Sequence, residues 1–206
     1  MADRVSIADG EADTAVIAEY EVSRRALVRR GIAAGSLSLA AASIPALLRV
    51  RNAFAQAGDD RAIIENAVGL EQTAVFTYAA AVASGRLNAK STAVARLFGG
   101  QEQEHADALT AALKTLGGTP PPKPTAPRDV PGMAAATGSA RRILTFLIAL
   151  EESAVAAYYD AHQKLKDAKL LSAGSAIMAN EGQHLVVLRQ ALDLNPVPTA
   201  FATGKA

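Results

Sequence analysis

No cysteine and no tryptophan occur among the 206 residues, aromatic residues make up 4%, and the formal net charge is only +1. The missing thiols exclude a disulfide framework, a Cys-ligated zinc site and thiol catalysis. Balanced charge removes the electrostatic ground for a nucleic-acid partner, and none is expected. The longest apolar run, residues 31–48, is short and built largely from Ala, Gly and Ser, so no stable membrane anchor is expected from it. Abundant alanine with few aromatic or β-branched runs tilts the chain toward helices.

What is present begins with an export layout. "SRRALVRRG" is followed by the apolar run and then by "RVRNAFAQAG", which carries small residues at A-x-A spacing. Arg24 and Arg25 after Ser23, with Leu27 and Val28 behind them, resemble a twin-arginine signal. That resemblance implies passage through the twin-arginine translocase as a folded chain able to carry a metal loaded beforehand, and a periplasmic or extracellular location. Cleavage after Ala55 or Ala57 would leave about 150 residues, one ordinary domain.

Hydrophobic spacing of three and four residues recurs in four segments, 60–84, 90–116, 139–168 and 171–193. Ser84-Gly85 and Gly117-Gly118 are helix stops. "GGTPPPKPTAPRDVPG" holds six of the nine prolines, so a stiff, partly extended, non-helical connection is expected there. "NPVP" ends the fourth segment, and residues 196–206 are expected to form a loose tail. The fold class is therefore all-α: an antiparallel four-helix bundle with one long Pro-rich crossover between helices 2 and 3. The domains are an N-terminal extension with its signal over 1–57, a bundle over 58–195 and a tail over 196–206.

The two halves of the bundle repeat each other. "LEQTAVFTYAAA" at 70–81 matches "LEESAVAAYYDA" at 150–161, and Glu102-x-x-His105 matches Glu181-x-x-His184. Helical phase puts one carboxylate on each apolar stripe: Ile64, Val68, Glu71, Val75 and Tyr78; Phe98, Glu102, His105, Leu109 and Leu116; Leu144, Leu147, Glu151, Val155 and Tyr158; Ile177, Glu181, His184 and Leu188. Even one ionised, buried carboxylate costs several kcal/mol, so four of them require positive charge in their midst. Two divalent cations would balance them, with two neutral imidazoles completing the ligand set. Residues three apart on a helix share a face, about 4.5 Å along the axis. Oxygen-rich donors with some imidazole suit iron or manganese.

The combination resembles the ferritin-like di-iron carboxylate proteins, whose pattern is a Glu from each of two helices plus a Glu-x-x-His from each of the other two. The resemblance covers essentially the whole chain beyond the signal. It implies a ferritin-like bundle with two iron ions, or two manganese ions, in which Glu102 and Glu181 bridge, Glu71 and Glu151 are terminal ligands, and His105 and His184 take one metal each. Fe(II) oxidation by oxygen or peroxide is the expected function. Dimanganese catalase-like peroxide dismutation and a non-catalytic, metal-binding envelope bundle are the alternatives. A homo-oligomer is left open.

Other residues carry smaller expectations. Tyr78 and Tyr158 are either core tyrosines with a bonded hydroxyl or, as in some members of the resembled family, redox tyrosines. Glu152 reads as a surface residue or a partner of a ligand, Glu104 as exposed, and His162 as an ordinary, partly exposed histidine. Gly182 weakens its helix by about 1 kcal/mol relative to Ala, unless it clears room for a neighbouring side chain or a small ligand.

Overall fold

A computed structural model describes residues 57–204. The Arg24-Arg25 pair, the apolar run at 31–48 and Ala55 lie outside the described residues. Four long helices form the bundle: α1 (Asp60–Ala83), α2 (Ala89–Thr115), α4 (Ala140–His162) and α5 (Ala168–Ala191), with a single-turn α3 (Met133–Ala136) between α2 and α4. Among the described residues there is no strand, and no helix is long and apolar enough to cross a membrane.

Local chemistry sets where each helix starts. Asp59, Asn88, Ser139 and Asp167 are the N-caps, each with a side-chain oxygen accepting from the first-turn amides. At the end of α2, Gly117 takes a φ of 73°, and Gly117 N–H and Gly118 N–H donate to the carbonyls of Lys114 and Leu113. This Schellman closure satisfies carbonyls that the helix leaves free. Asp193, with a φ of 57°, closes α5 by the same pattern, which folds Leu194 back onto the core.

The core is two apolar clusters separated by a polar layer. One joins the C-terminal half of α1 (Ala74, Tyr78) to the start of α2 (Phe98), the start of α4 (Ile143, Leu147) and the end of α5 (Leu188). The other joins the start of α1 (Ile63, Ile64) to the ends of α2 (Leu113) and α4 (Ala161) and the start of α5 (Ile177). Those pairings make α1 antiparallel to both α2 and α4, and α5 antiparallel to both α2 and α4. Since α2 and α4 run the same way, the connection between them must travel the length of the bundle, which explains why it is long.

That crossover differs from a purely extended strap. Pro127–Asp129 forms a 3-10 turn, tied by the Asp129 carboxylate, which accepts from the Thr125 and Ala126 amides and the Thr125 hydroxyl. Proline at the first helical position costs no hydrogen bond, so the turn forms despite the composition. Val130, Met133 and Ala136 then bury themselves with Phe146 of α4, against Phe76 and Ala80 of α1. The third long helix also stops at His162 rather than running to 168. Asp167 caps α5, and the Asp60 carboxylate accepts from the amides of Lys166 and Asp167. In the tail, Gly204 with a φ of 61° lies against the α4 backbone, where an added Cβ would fall 2.2 Å from the Glu152 carbonyl oxygen.

Candidate metal centre

The layer between the two apolar clusters is made by Glu71, Glu102, His105, Glu151, Glu181 and His184, drawn from all four long helices. Each carboxylate is at most 1% exposed. They divide into two groups, Glu71, Glu102, His105 and Glu181, and Glu102, Glu151, Glu181 and His184; within each group the candidate ligand atoms lie within 4.8 Å of one another.

The distances show how the groups share residues. His105 Nδ1 is 3.6 Å from Glu71 Oε2, 3.6 Å from Glu102 Oε2 and 3.1 Å from Glu181 Oε1. His184 Nδ1 is 3.1 Å from Glu102 Oε1, 3.4 Å from Glu151 Oε1 and 3.0 Å from Glu181 Oε2. Glu102 and Glu181 thus turn one oxygen to each histidine, while Glu71 faces only His105 and Glu151 only His184. Among the described residues six buried side-chain nitrogen or oxygen atoms lack a hydrogen-bond partner, and five belong to this cluster: Glu102 Oε1, His105 Nδ1, both Glu181 oxygens and His184 Nδ1. Buried carboxylate oxygens and imidazole nitrogens that converge without hydrogen-bond partners are costly unless protons or cations join them, so the residues present fit metal ions.

Without metal, protons stand in for the cations. Burial opposes the charged form of His105, but contacts with Glu102, Glu181 and Glu71 outweigh it and raise its pKa to about 12. Burial is likewise overcome at His184, where Glu102, Glu151 and Glu181 raise the pKa to about 11. Burial pushes Glu71 and Glu151 well above the usual carboxylate range. Burial also acts to raise Glu181, yet its contacts with His105 and His184 bring it down to about 2.

Both tyrosines serve the opposite hairpin. The Tyr78 hydroxyl donates to Glu151 Oε1, and the Tyr158 hydroxyl donates to Glu71 Oε1. Because α1 and α4 are antiparallel, a tyrosine seven residues past its own glutamate reaches the carboxylate of the other helix. Burial, and then the neighbouring glutamates, hold both phenols well above their ordinary pKa, so they stay protonated donors. Gly99 permits the close α1–α2 approach at Tyr78, since a Cβ there would lie 3.1 Å from Tyr78 Cβ.

The remaining residues fall around this layer. Glu152 pairs with Arg189 at the bundle surface, Glu104 is exposed, and His162 bonds the Tyr158 carbonyl and the Ser175 hydroxyl. Leu116 is 36% exposed because it caps α2 rather than continuing its buried stripe. A Cβ at Gly182 would meet nothing within 4 Å, so no neighbouring side chain occupies the room it leaves. Gln101 escaped the periodicity argument. It lies one residue before Glu102, about 100° round the helix, yet its Oε1 is 2.8 Å from His184 Nε2.

Comparison with known proteins adds the family. The profile of the ferritin-like domain matches residues 59–194, which span the four long helices and the crossover. No curated protein and no solved structure matches the chain.

Proposed function

This chain belongs to the ferritin-like domain family, and we propose that it is an exported bundle with a dinuclear metal centre, iron in the first instance, that oxidises Fe(II) with oxygen or peroxide. The observation that carries the reading is the sharing of Glu102 and Glu181 between two four-residue groups. Glu102 and Glu181 would bridge, Glu71 with His105 would complete one position, and Glu151 with His184 the other. Oxygen donors with one imidazole per position suit iron or manganese. When bound, two Fe(II) ions would supply one electron each, which together with two protons reduces one peroxide to two waters.

The protein's part is to hold, balance and enclose. Four carboxylates offset the charge of two divalent cations, so a filled site carries no net buried charge. Tyr78 and Tyr158 fix the terminal carboxylates through one oxygen each; at Glu71 this leaves Oε2 toward His105, whereas at Glu151 the bonded Oε1 is also the oxygen that faces His184. The two apolar clusters exclude bulk water from above and below the layer. Export rests on the N-terminal pattern; an exported chain beginning at Gln56 or Gly58 would support it, and an exclusively intracellular chain retaining its first residues would count against it.

The deciding experiment is metal analysis of the purified mature protein, followed by Fe(II) oxidation and peroxide-consumption assays. Two metal ions per chain with Fe(II) oxidation is the expected result. Peroxide dismutation by the manganese form without Fe(II) oxidation would shift the reading to the catalase-like alternative. Two ions with neither activity would leave a metal-holding bundle, and no metal after reconstitution would overturn the site.

A further inference from the structure

The two halves of the cluster repeat in sequence but differ in surroundings. α2 holds His184 twice over: Gln101 Oε1 is 2.8 Å from its Nε2, and Phe98 stacks on its ring with centroids 4.0 Å apart and planes at 23°. Tyr78 closes another side edge-on at 6.5 Å. His184 is buried, whereas 13% of the His105 side chain reaches solvent. In the repeat, Phe98 corresponds to Ile177 and Gln101 to Asn180. An aliphatic residue therefore takes the aromatic's place in the half that serves His105.

We propose that Gln101 and Phe98 make the two metal positions unequal: the His184 position is preformed and tight, and the His105 position is weaker and exchangeable, the one through which metal passes to and from solvent. This rests on the dinuclear reading given above. Gln101 is a positioning residue. By accepting the Nε2 proton it leaves Nδ1, which faces Glu102, Glu151 and Glu181, as the nitrogen that gives up its proton when a metal binds. The opposite amide orientation would place the proton on Nδ1, where no metal could be held. Stacking on Phe98 limits ring rotation, so little order is lost when metal binds. His105, at the solvent edge, has its orientation set mainly by the carboxylates themselves.

The test is a Co(II) titration of the metal-free mature protein, of Gln101→Leu and of Gln101→Glu, with ¹⁵N-histidine spectra recorded on adding Zn(II). The wild type is expected to fill in two unequal steps, and at one equivalent of Zn(II) only the His184 signals should move. Gln101→Leu should weaken the tight step by about 10- to 100-fold and lose the slowly exchanging His184 Nε2–H signal, leaving the weak step alone. Gln101→Glu, which keeps an acceptor oxygen, should restore both readouts. Two equal steps in the wild type, His105 signals moving first, or an indifferent Gln101→Leu protein would overturn the inequality while leaving the dinuclear centre standing. Failure of all three proteins to bind Co(II) would overturn the centre itself.

Discussion

Glu71 and Glu102 are both buried glutamates on apolar stripes, yet their oxygens face different things. Glu71 gives Oε1 to Tyr158 and Oε2 to the His105 side, while Glu102 gives an oxygen to each histidine. Glu71→Gln is therefore expected to empty one position and leave about one metal ion per chain, whereas Glu102→Ala should abolish uptake at both. Elemental analysis after reconstitution distinguishes them; equal stoichiometry in the two variants would contradict the assignment of roles. All six inward residues were legible in the sequence because a period of 3.6 leaves no other face for Glu71, Glu151 and the two Glu-x-x-His pairs. Gln101 was not legible, because its side of α2 becomes an inside only where α5 brings His184 against it.

Helix elements were legible in kind and partly in extent. Caps such as Asn88 and the Gly117-Gly118 stop act within a few residues, so the ends of α2 follow from local chemistry. The end of α4 does not, because the turn after it is held by Asp60, more than a hundred residues earlier. Two glycines in long helices give a paired prediction at this scale. Gly182→Ala should stabilise the metal-free protein by up to about 1 kcal/mol through helix propensity, as its Cβ meets nothing. Gly99→Ala gains the same propensity but pushes a Cβ to 3.1 Å from Tyr78 Cβ, and should be destabilising by about 1–3 kcal/mol. Urea denaturation of both variants checks the pair, and a stabilised Gly99→Ala protein would mean the helices can part there without cost.

For the molecule as a whole, protons and metal compete for one buried layer. In the metal-free protein the raised pKa values of His105 and His184 contribute stability that is complete below their ordinary value of about 6.5 and lost as pH rises through about 11 to 12. Raised Glu71 and Glu151 act in the same direction, since folding favours their protonated forms and loses that advantage as pH rises above about 4.5. Glu181 is opposite in sign: its contribution is present above about 4.5 and lost as pH falls through about 2. The metal-free protein should accordingly be most stable in mild acid and weaken toward alkaline pH. Metal binding must displace the histidine protons, so the rise in Tm on adding metal should grow with pH. Melting curves with and without Zn(II) across that range test this; a metal increment that shrinks as pH rises would contradict proton displacement.

By itself, the sequence determined the helices, the hairpin repeat and which side chain of each helix points inward, because these follow from a fixed turn angle and short-range capping. The tertiary structure decided which of those inward groups meet. Antiparallel packing of α1 on α4 sends Tyr78 to Glu151 and Tyr158 to Glu71, and packing of α5 on α2 encloses His184 but leaves the edge of His105 in solvent. A one-dimensional repeat is symmetric to the eye. Its two copies become unequal only when each is packed against the other's different neighbours.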